Sequence, residues 1–466
     1  MGLRSSLLLL GLALVAQALY PLQFSRAASP GRLLKELDAN AAQLAAGVNA
    51  FGSAVFDQLA DQAPPGEADG LLLSPFSLAQ ALAMLANGAE PGGESYKQVL
   101  GALGASGMDL EEFNSMFSEL TADLLQPPPS VGGNKPGLRV DVANSGWLKQ
   151  GLEWQPEYAA TLAAYYNATL DTLTSAKEVN DWVSEKTQGK ITSIVDDATV
   201  REAVLLLVNA IYFKGSWASQ FMREATEPQP FTLVDGSKQQ APMMRQQLEF
   251  GGEVASLTAE VEGSEVTCEA VKLPFEGRTF TGIFAMPAGS VSEVAGDLAL
   301  EAGNSSVPYA AALSACRSAL SSALVPAGSD ASVFEDVDNP INLYVPRFEI
   351  EFTAGLNKAL QALNVTAPFT EGDLTQIAQD ADGNPVTNLD VSSVLQKVYE
   401  KIDETGAEAA AATAVIVGTS APGGPVKEPL EFKFDRPFIF EIVHEASGLE
   451  LFTGEVYVPE KADASA

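Results

Sequence analysis

The chain has 466 residues, of which 60 are acidic and 27 are basic, so its formal net charge at pH 7 is −33. This charge opposes binding to nucleic acid or to an anionic membrane, because both require a basic protein surface. Hydrophobic residues make up 46% of the sequence and no linker of distinct composition divides it, which indicates one large folded domain over residues 30–460.

The first residues have the pattern of a secretory leader. Arg4 precedes the apolar run 7–14, and small residues follow at the cleavage-type positions. We therefore expect residues 1–18 to be a signal peptide and the protein to be secreted and extracellular. Arg26, together with the lack of acids before Glu36, leaves an organelle transit peptide as the alternative.

Three sequons make Asn167, Asn304 and Asn364 candidates for glycosylation, which agrees with secretion. Cys268 and Cys316 are the only cysteines, and two do not form a disulfide framework. We expect two separate buried thiols, with a single disulfide bond as the alternative.

Hydrophobic periodicity places helices early in the chain and strands later. Helices are predicted over 33–59, from a Ser74 cap and Pro75 to Leu85, and over 180–195. Strands are predicted over 205–213, 280–286, 341–352, 438–443 and 451–458. Runs that are apolar on both faces indicate covered central strands, whereas the alternation at Phe348, Ile350 and Phe352 indicates a half-exposed strand. This order predicts an α+β fold with large sheets.

The segment 295–337 is rich in alanine and serine. We expect it to extend a helix and a loop on the surface, and its sequence suggests no function.

The segment 404–417 combines residues that favour a helix with residues that favour a strand. Gly406 gives backbone freedom, the alanines 409–412 favour a helix, and the β-branched residues from Thr413 onward favour a strand. Side chains this small could enter a close-packed sheet, as larger ones could not.

This segment and eight further blocks, in order, resemble the serpin family over roughly residues 35–460. The blocks are Ser74–Ala89, Asn180–Ile191, Asn209–Trp217, Pro242–Met244, Lys272–Phe275, Val345–Phe348, Phe434–Phe440 and Leu451–Val456. The resemblance implies a large central β-sheet with two further sheets, surrounding helices and an exposed reactive-centre loop at about 404–430. It also implies a protease inhibitor rather than an enzyme.

The resemblance further implies suicide inhibition, in which a serine protease, or alternatively a cysteine protease, is trapped as a covalent acyl-enzyme while the loop inserts into the sheet. The hinge positions are Glu404, Gly406, Ala407, Ala409, Ala410, Ala411, Ala412 and Thr413, with Glu408 and Thr413 expected on the outer face of the inserted strand. The alternative is a non-inhibitory serpin that acts as a carrier or chaperone.

The family's spacing from Glu404 places the cleaved bond between Ser420 and Ala421, or one residue earlier at Thr419. No Lys or Arg lies between Lys401 and Lys427. An elastase-like, chymotrypsin-like or subtilisin-like target is therefore expected, rather than one whose pocket requires a cation.

Other matches imply structural roles. Ser74, Ser77, Asn209 and Gln396 correspond to the polar shutter under the sheet, and Trp217 corresponds to the breach where insertion begins.

Lys97 is the only basic residue between Glu90 and Asp123, so heparin should not bind there. His444 is the only histidine and has a structural role in this interpretation; no metal or cofactor is expected, and the protein is expected to be a monomer.

Overall fold

A computed structural model describes residues 30–62, 66, 68–126, 137–249, 252–294, 296–302, 305–326, 329–370, 373–407 and 427–462. The chain divides into two compact units, Met1–Ala39 and Asn40–Ala466. In the described ranges, no helix is both long enough and apolar enough to span a bilayer.

The described residues form nine α-helices: α1 (Pro30–Gln62), α2 (Pro75–Gly88), α3 (Glu94–Ala102), α4 (Leu110–Leu124), α5 (Pro156–Tyr166), α6 (Ala176–Lys186), α7 (Asp197–Glu202), α8 (Tyr309–Ala323) and α9 (Asn357–Ala362). The same residues form the strands β1 (Gly70–Leu73), β2 (Arg139–Lys149), β3 (Glu153–Trp154), β4 (Thr169–Leu173), β5 (Leu205–Ser216), β6 (Glu227–Thr232), β7 (Lys238–Leu248), β8 (Gly252–Val261), β9 (Ser264–Pro274), β10 (Phe280–Pro287), β11 (Val291–Val294), β12 (Asp297–Ala302), β13 (Ser305–Pro308), β14 (Glu335–Val337), β15 (Ile341–Pro346), β16 (Phe348–Gly355), β17 (Ala378–Gln379), β18 (Ser393–Asp403), β19 (Gly406–Ala407), β20 (Leu430–Lys433), β21 (Phe438–His444) and β22 (Leu449–Val456).

Three large sheets organise the fold. Their strand orders are β1-β22-β21-β10-β9-β8-β14, β16-β18-β19-β5-β2-β4 and β20-β15-β7-β6. Two small sheets, β11-β12-β13 and β17-β3, accompany them in the described part of the chain. The predicted α+β fold with large sheets is confirmed.

The six-stranded sheet is covered on both faces, as its sequence predicts. In β5, Leu205, Leu207 and Ile211 belong to the main core, to which α2 contributes, whereas Leu206 and Val208 belong to a second core with α6. The period of two along a strand explains this alternation. Helix α2 is buried at nearly every position, and the side chain of Ser74 caps it by accepting from the Ser77 N–H.

Two predicted boundaries are wrong. The run 341–352 forms two strands in different sheets, because the chain passes from β15 to β16 after Pro346, which has no N–H to donate to a ladder. The helix predicted over 180–195 is α6 and ends at Lys186, since Gln188 and Gly189 adopt the left-handed conformation.

The segment 295–337 is not confined to the surface. Its helix α8 packs on the seven-stranded sheet, and its Arg317 side chain is fully buried. Cys316 on α8 is disulfide-bonded to Cys268 on β9, with 5.6 Å between their Cα atoms. The expectation of two separate thiols is therefore wrong, because sequence alone does not reveal that α8 lies against β9.

Candidate functional site

In the six-stranded sheet, strands β18 and β5 pair with each other at one end and are separated at the other. Residues 393–398 of β18 pair directly with residues 206–211 of β5 in parallel. Beyond these pairs the two strands separate, and the two-residue strand β19 lies between them, antiparallel to both. The sheet therefore already accommodates the first residues of the segment that follows β18.

Gly406 forms the entry to this gap. It lies opposite Asp403 on β18 and Ser216 on β5, and Ala407 lies opposite Ile402 and Gly215. The φ angle of Gly406 is +141°, and a Cβ at this position would overlap the carbonyl oxygen of Gly215. Only glycine fits here without displacing the backbone of β5.

Glu404 anchors the turn before β19. Its side chain is 2% exposed and accepts hydrogen bonds from Arg347 Nε at 2.9 Å and from Thr226 Oγ1 at 2.6 Å. Burial alone would raise the pKa of the Glu404 carboxyl, but these hydrogen bonds outweigh burial and lower the pKa. The turn is thus fixed by a charged pair that joins it to the start of β16.

Trp217 holds the same turn from the end of β5. Its backbone N–H donates to Thr405 O at 2.9 Å, and its indole Nε1 donates to Asp403 O at 3.1 Å. The indole is buried and stacks on Phe275 with 4.3 Å between ring centroids. The predicted breach tryptophan therefore lies where β19 enters the sheet.

The four predicted shutter residues lie together beneath the closed end of the sheet. Gln396 Oε1 accepts from the Ser74 N–H at 2.9 Å, and Gln396 Nε2 donates to Ser74 O at 3.1 Å. Ser77 Oγ donates to Asn209 Oδ1, which lies 3.4 Å from Gln396 Nε2. All four are buried, so this cluster joins helix α2 to both β5 and β18.

Sequence reasoning missed two members of this cluster. Asn209 Nδ2 donates to Asn144 Oδ1 at 2.6 Å, and Asn144 Nδ2 donates to Gln80 Oε1 at 2.9 Å. Both side chains are buried, and Gln80 interrupts the apolar run of α2, which is the signal that could have identified it. Arg347 and Thr226 were also missed, because their contact with Glu404 spans 57 and 178 residues.

Several predicted positions lie elsewhere. Ala409 to Thr413, the candidate bond at Thr419, Ser420 and Ala421, residues 1–18 and Asn304 lie outside the described residues. Asn167 and Asn364 are both exposed.

His444 is buried at the end of β21 with Nδ1 2.9 Å from Ser447 Oγ, and burial lowers the pKa of His444. Because Ser447 is buried too, this pair offers no accessible nucleophile.

Comparison with known proteins agrees with this geometry. The family described as Serpin (serine protease inhibitor) matches residues 46–459, and the chain belongs to this family. It is 30% identical to a leukocyte elastase inhibitor of Sus scrofa over 439 residues, covering 90% of this chain and 100% of the relative. It is 31% identical to Serpin-Z2A of Oryza sativa subsp. japonica, covering 89% and 97%. The crystal structure of native protease nexin-1 with heparin has the same fold, with a TM-score of 0.69, 22% identity and coverage of 90% and 100%. The chain is thus a member of a family of protease inhibitors and not an enzyme.

Proposed function

We propose that this chain is an inhibitory serpin that traps a serine protease as a covalent acyl-enzyme. The observation that carries the proposal is the position of Gly406–Ala407 between β18 and β5. An inhibitor of this kind needs a sheet that can open along one seam and a loop whose first residues already lie at that seam.

The covalent step takes place at the reactive bond. The protease's serine Oγ attacks the carbonyl carbon of Ser420, an ester forms, and the peptide bond to Ala421 breaks as the new amine takes up a proton. The loop upstream of Ser420 is then released from its downstream anchor at β20. It carries the esterified protease with it.

If the residue pairing of β19 with β18 and β5 continues along the chain, each inserted residue has a defined position between the two strands. Ala411 would lie between Val398 and Ile211, and Thr413 would lie between Gln396 and Asn209. Thr413 would therefore point to the inner face, at the shutter cluster. Glu408 lies five residues before Thr413, so it would face outward, because residues an odd number apart occupy opposite faces of a strand. Both were expected on the outer face, and in a regular strand of this projected register only Glu408 lies there.

Insertion supplies the driving force for trapping. It breaks the direct pairing of residues 393–398 with 206–211, but the new strand forms antiparallel ladders with both neighbours. At about 1 kcal/mol net per hydrogen bond, a dozen inserted residues and their buried side chains give on the order of ten kcal/mol. The native state therefore stores free energy that cleavage releases.

The composition of the loop indicates the target class. Residues 402–426 contain no Lys or Arg, and residues 417–421 are small and uncharged. A shallow or apolar primary pocket accepts such residues, whereas a pocket lined by an acid does not. We infer an elastase-like, chymotrypsin-like or subtilisin-like protease.

We also infer that the protein is secreted and reaches an oxidising compartment. The leader pattern in residues 1–18 and the disulfide between Cys268 and Cys316 both support this location. Expression in a secreting cell followed by mass measurement of the N-terminus tests it. A mature chain that begins at Leu19 is expected, and a chain retained in an organelle would contradict it.

The function is tested by incubating the mature chain with elastase, chymotrypsin, subtilisin and trypsin. We expect a band near the summed masses on a denaturing gel, and release of the peptide that begins at Ala421. Trypsin should give no such complex by cleavage at this bond. Clean cleavage with every protease still active would contradict inhibition and would favour the carrier or chaperone alternative.

A further inference from the structure

A groove of about 360 Å³ opens between the edge of the seven-stranded sheet and β20. Its apolar lining comes from Val254 on β8, from Val333 just before β14, and from Leu430 and Phe432 on β20. Val254, Val333 and Leu430 are only half-buried. One wall is thus supplied by the strand that follows the reactive-centre loop, and another by the 295–337 segment.

Three carboxylates line the same groove. Glu269, Glu335 and Glu431 are exposed, and in the described part of the chain none of them lies within ion-pair distance of a Lys or Arg. Three like charges around an apolar floor produce a negative potential that a cationic side chain would neutralise. The chemistry therefore fits an occupant that carries Lys or Arg beside an apolar group.

The groove lies within reach of a protease at the reactive bond. Leu430 follows Ala421 by nine residues, and nine extended residues span at most about 30 Å. A protease domain of roughly 240 residues has a radius of gyration of about 18 Å, so its surface can extend across that distance.

We propose that this groove is a second docking surface for the attacking protease, occupied by a protease loop that carries a basic residue next to an apolar one. The inference rests on the proposed inhibitory function and adds a determinant of target choice outside the reactive bond. Charges around such a surface act mainly on the association rate and its salt dependence. An apolar anchor in the groove adds residence time.

Two kinds of variant test the groove. The triple variant E269Q/E335Q/E431Q removes its charge, and S256W fills it, because Ser256 lines the groove. The matched controls are E119Q/E157Q/E185Q, which removes three exposed helix carboxylates, and T258W, which changes an exposed residue two positions along β8. All four variants keep the reactive-centre loop unchanged.

The first readout is the association rate constant with a cationic elastase across a series of salt concentrations. We expect E269Q/E335Q/E431Q and S256W to slow association about tenfold at low salt, with the charge variant also flattening the salt dependence. Both controls should stay within about twofold of the parent chain. Equal rates in all variants would overturn the docking proposal while leaving covalent inhibition intact.

The second readout is equilibrium binding of the same elastase with its catalytic serine replaced by alanine, which cannot acylate. Weaker binding by the two groove variants, and by neither control, supports docking even if the active elastase is never trapped. Failure to trap the active elastase would overturn the proposed function instead. Sedimentation of the free chain completes the test. Dimers that S256W abolishes would assign the groove to a second copy of this chain and overturn the proposal.

Discussion

Arg347 donates from Nε to Glu404 Oε1 over 2.9 Å and so connects the start of β16 to the turn that precedes β19. Glu404 is nearly fully buried, whereas the Arg347 side chain is one-third exposed. Removing the cation would leave a buried carboxylate without its charged partner, although its hydrogen bond from Thr226 would remain. The loop entrance therefore depends on a contact between residues that are distant in sequence.

We expect R347M to destabilise the native state by about 3 kcal/mol, because it leaves a buried charge uncompensated. K401M is the matched control: Lys401 pairs with Glu349 at 2.6 Å near the surface, and its loss should cost under about 1 kcal/mol. Thermal unfolding measures both. Equal shifts for the two variants would contradict the role of Arg347.

The same pair predicts a pH dependence. The folded-state pKa of Glu404 is lowered, so its contribution to stability is fully present above its unfolded pKa of about 4.5 and is lost as the pH falls through the folded value. The destabilisation by R347M should therefore shrink when the unfolding midpoint is measured at pH 4 rather than pH 7.

The shutter cluster should control how readily the sheet opens. We expect N209A to speed the spontaneous loss of inhibitory activity at 45 °C severalfold, because Asn209 bonds to Ser77, Asn144 and Gln396 across the seam. Q396H serves as the conservative control, since imidazole can also donate and accept a hydrogen bond. A half-life of N209A equal to that of the parent chain would exclude this role.

The hinge predicts a conversion from inhibitor to substrate. In the register projected from β19, Ala411 enters between Val398 and Ile211, which are both buried. A411R would bury a charge there and slow insertion, so the protease should deacylate and escape. A411S is the matched control. The number of inhibitor molecules cleaved per protease trapped should rise more than tenfold for A411R and stay near that of the parent chain for A411S.

A buried cluster of carboxyl groups predicts a second pH dependence. Glu441, Glu450 and Glu455 are buried beneath α1 and α8, near Arg317, which contacts Glu455 and Asp57. Burial raises the pKa of Glu450 to about 7, with Arg317 opposing the shift. Since this folded-state pKa is raised, the group costs stability as the pH rises from about 4.5 to about 7.

We expect E450Q to stabilise the protein by roughly 2 kcal/mol at pH 8 and to have little effect at pH 5. E119Q changes an exposed carboxyl group and should leave the stability unchanged at both pH values. Unfolding midpoints measured from pH 5 to pH 8 test this prediction. An effect of E450Q on stability that does not change with pH would contradict the raised pKa of Glu450.

The disulfide should contribute measurably to stability. Cys268 and Cys316 are 48 residues apart, and closing a loop of that size stabilises by about 4 kcal/mol in the chain-entropy estimate. C268A/C316A should therefore lower the unfolding midpoint under oxidising conditions. Reductant should lower the midpoint of the parent chain and leave that of the variant unchanged.

The sequence predicted those features of the fold that depend on residue type and hydrophobic periodicity. The Ser74 cap, the deeply buried α2 and the doubly covered β5 follow from residue type and periodicity. The break after Pro346 and the end of α6 at Lys186 were missed, because tertiary pairing and left-handed residues outweighed a continuous apolar pattern.

The missed contacts are all long-range. Three contacts join residues that come together only when sheets and helices pack: Arg347 with Glu404, Asn144 with Gln80, and Cys316 with Cys268. A single sequence carries no distance information across such separations. The shutter and breach positions were placed by resemblance to a family rather than by pattern.

In the proposed mechanism, the loop enters the sheet between β18 and β5 after cleavage. The most direct test is thermal unfolding of the chain before and after a protease cuts at Ser420–Ala421. A complete insertion predicts that the cleaved chain unfolds tens of degrees higher, since both seam strands gain a new partner. An unchanged unfolding midpoint would show that the cleaved loop stays outside the sheet and would contradict the proposed insertion.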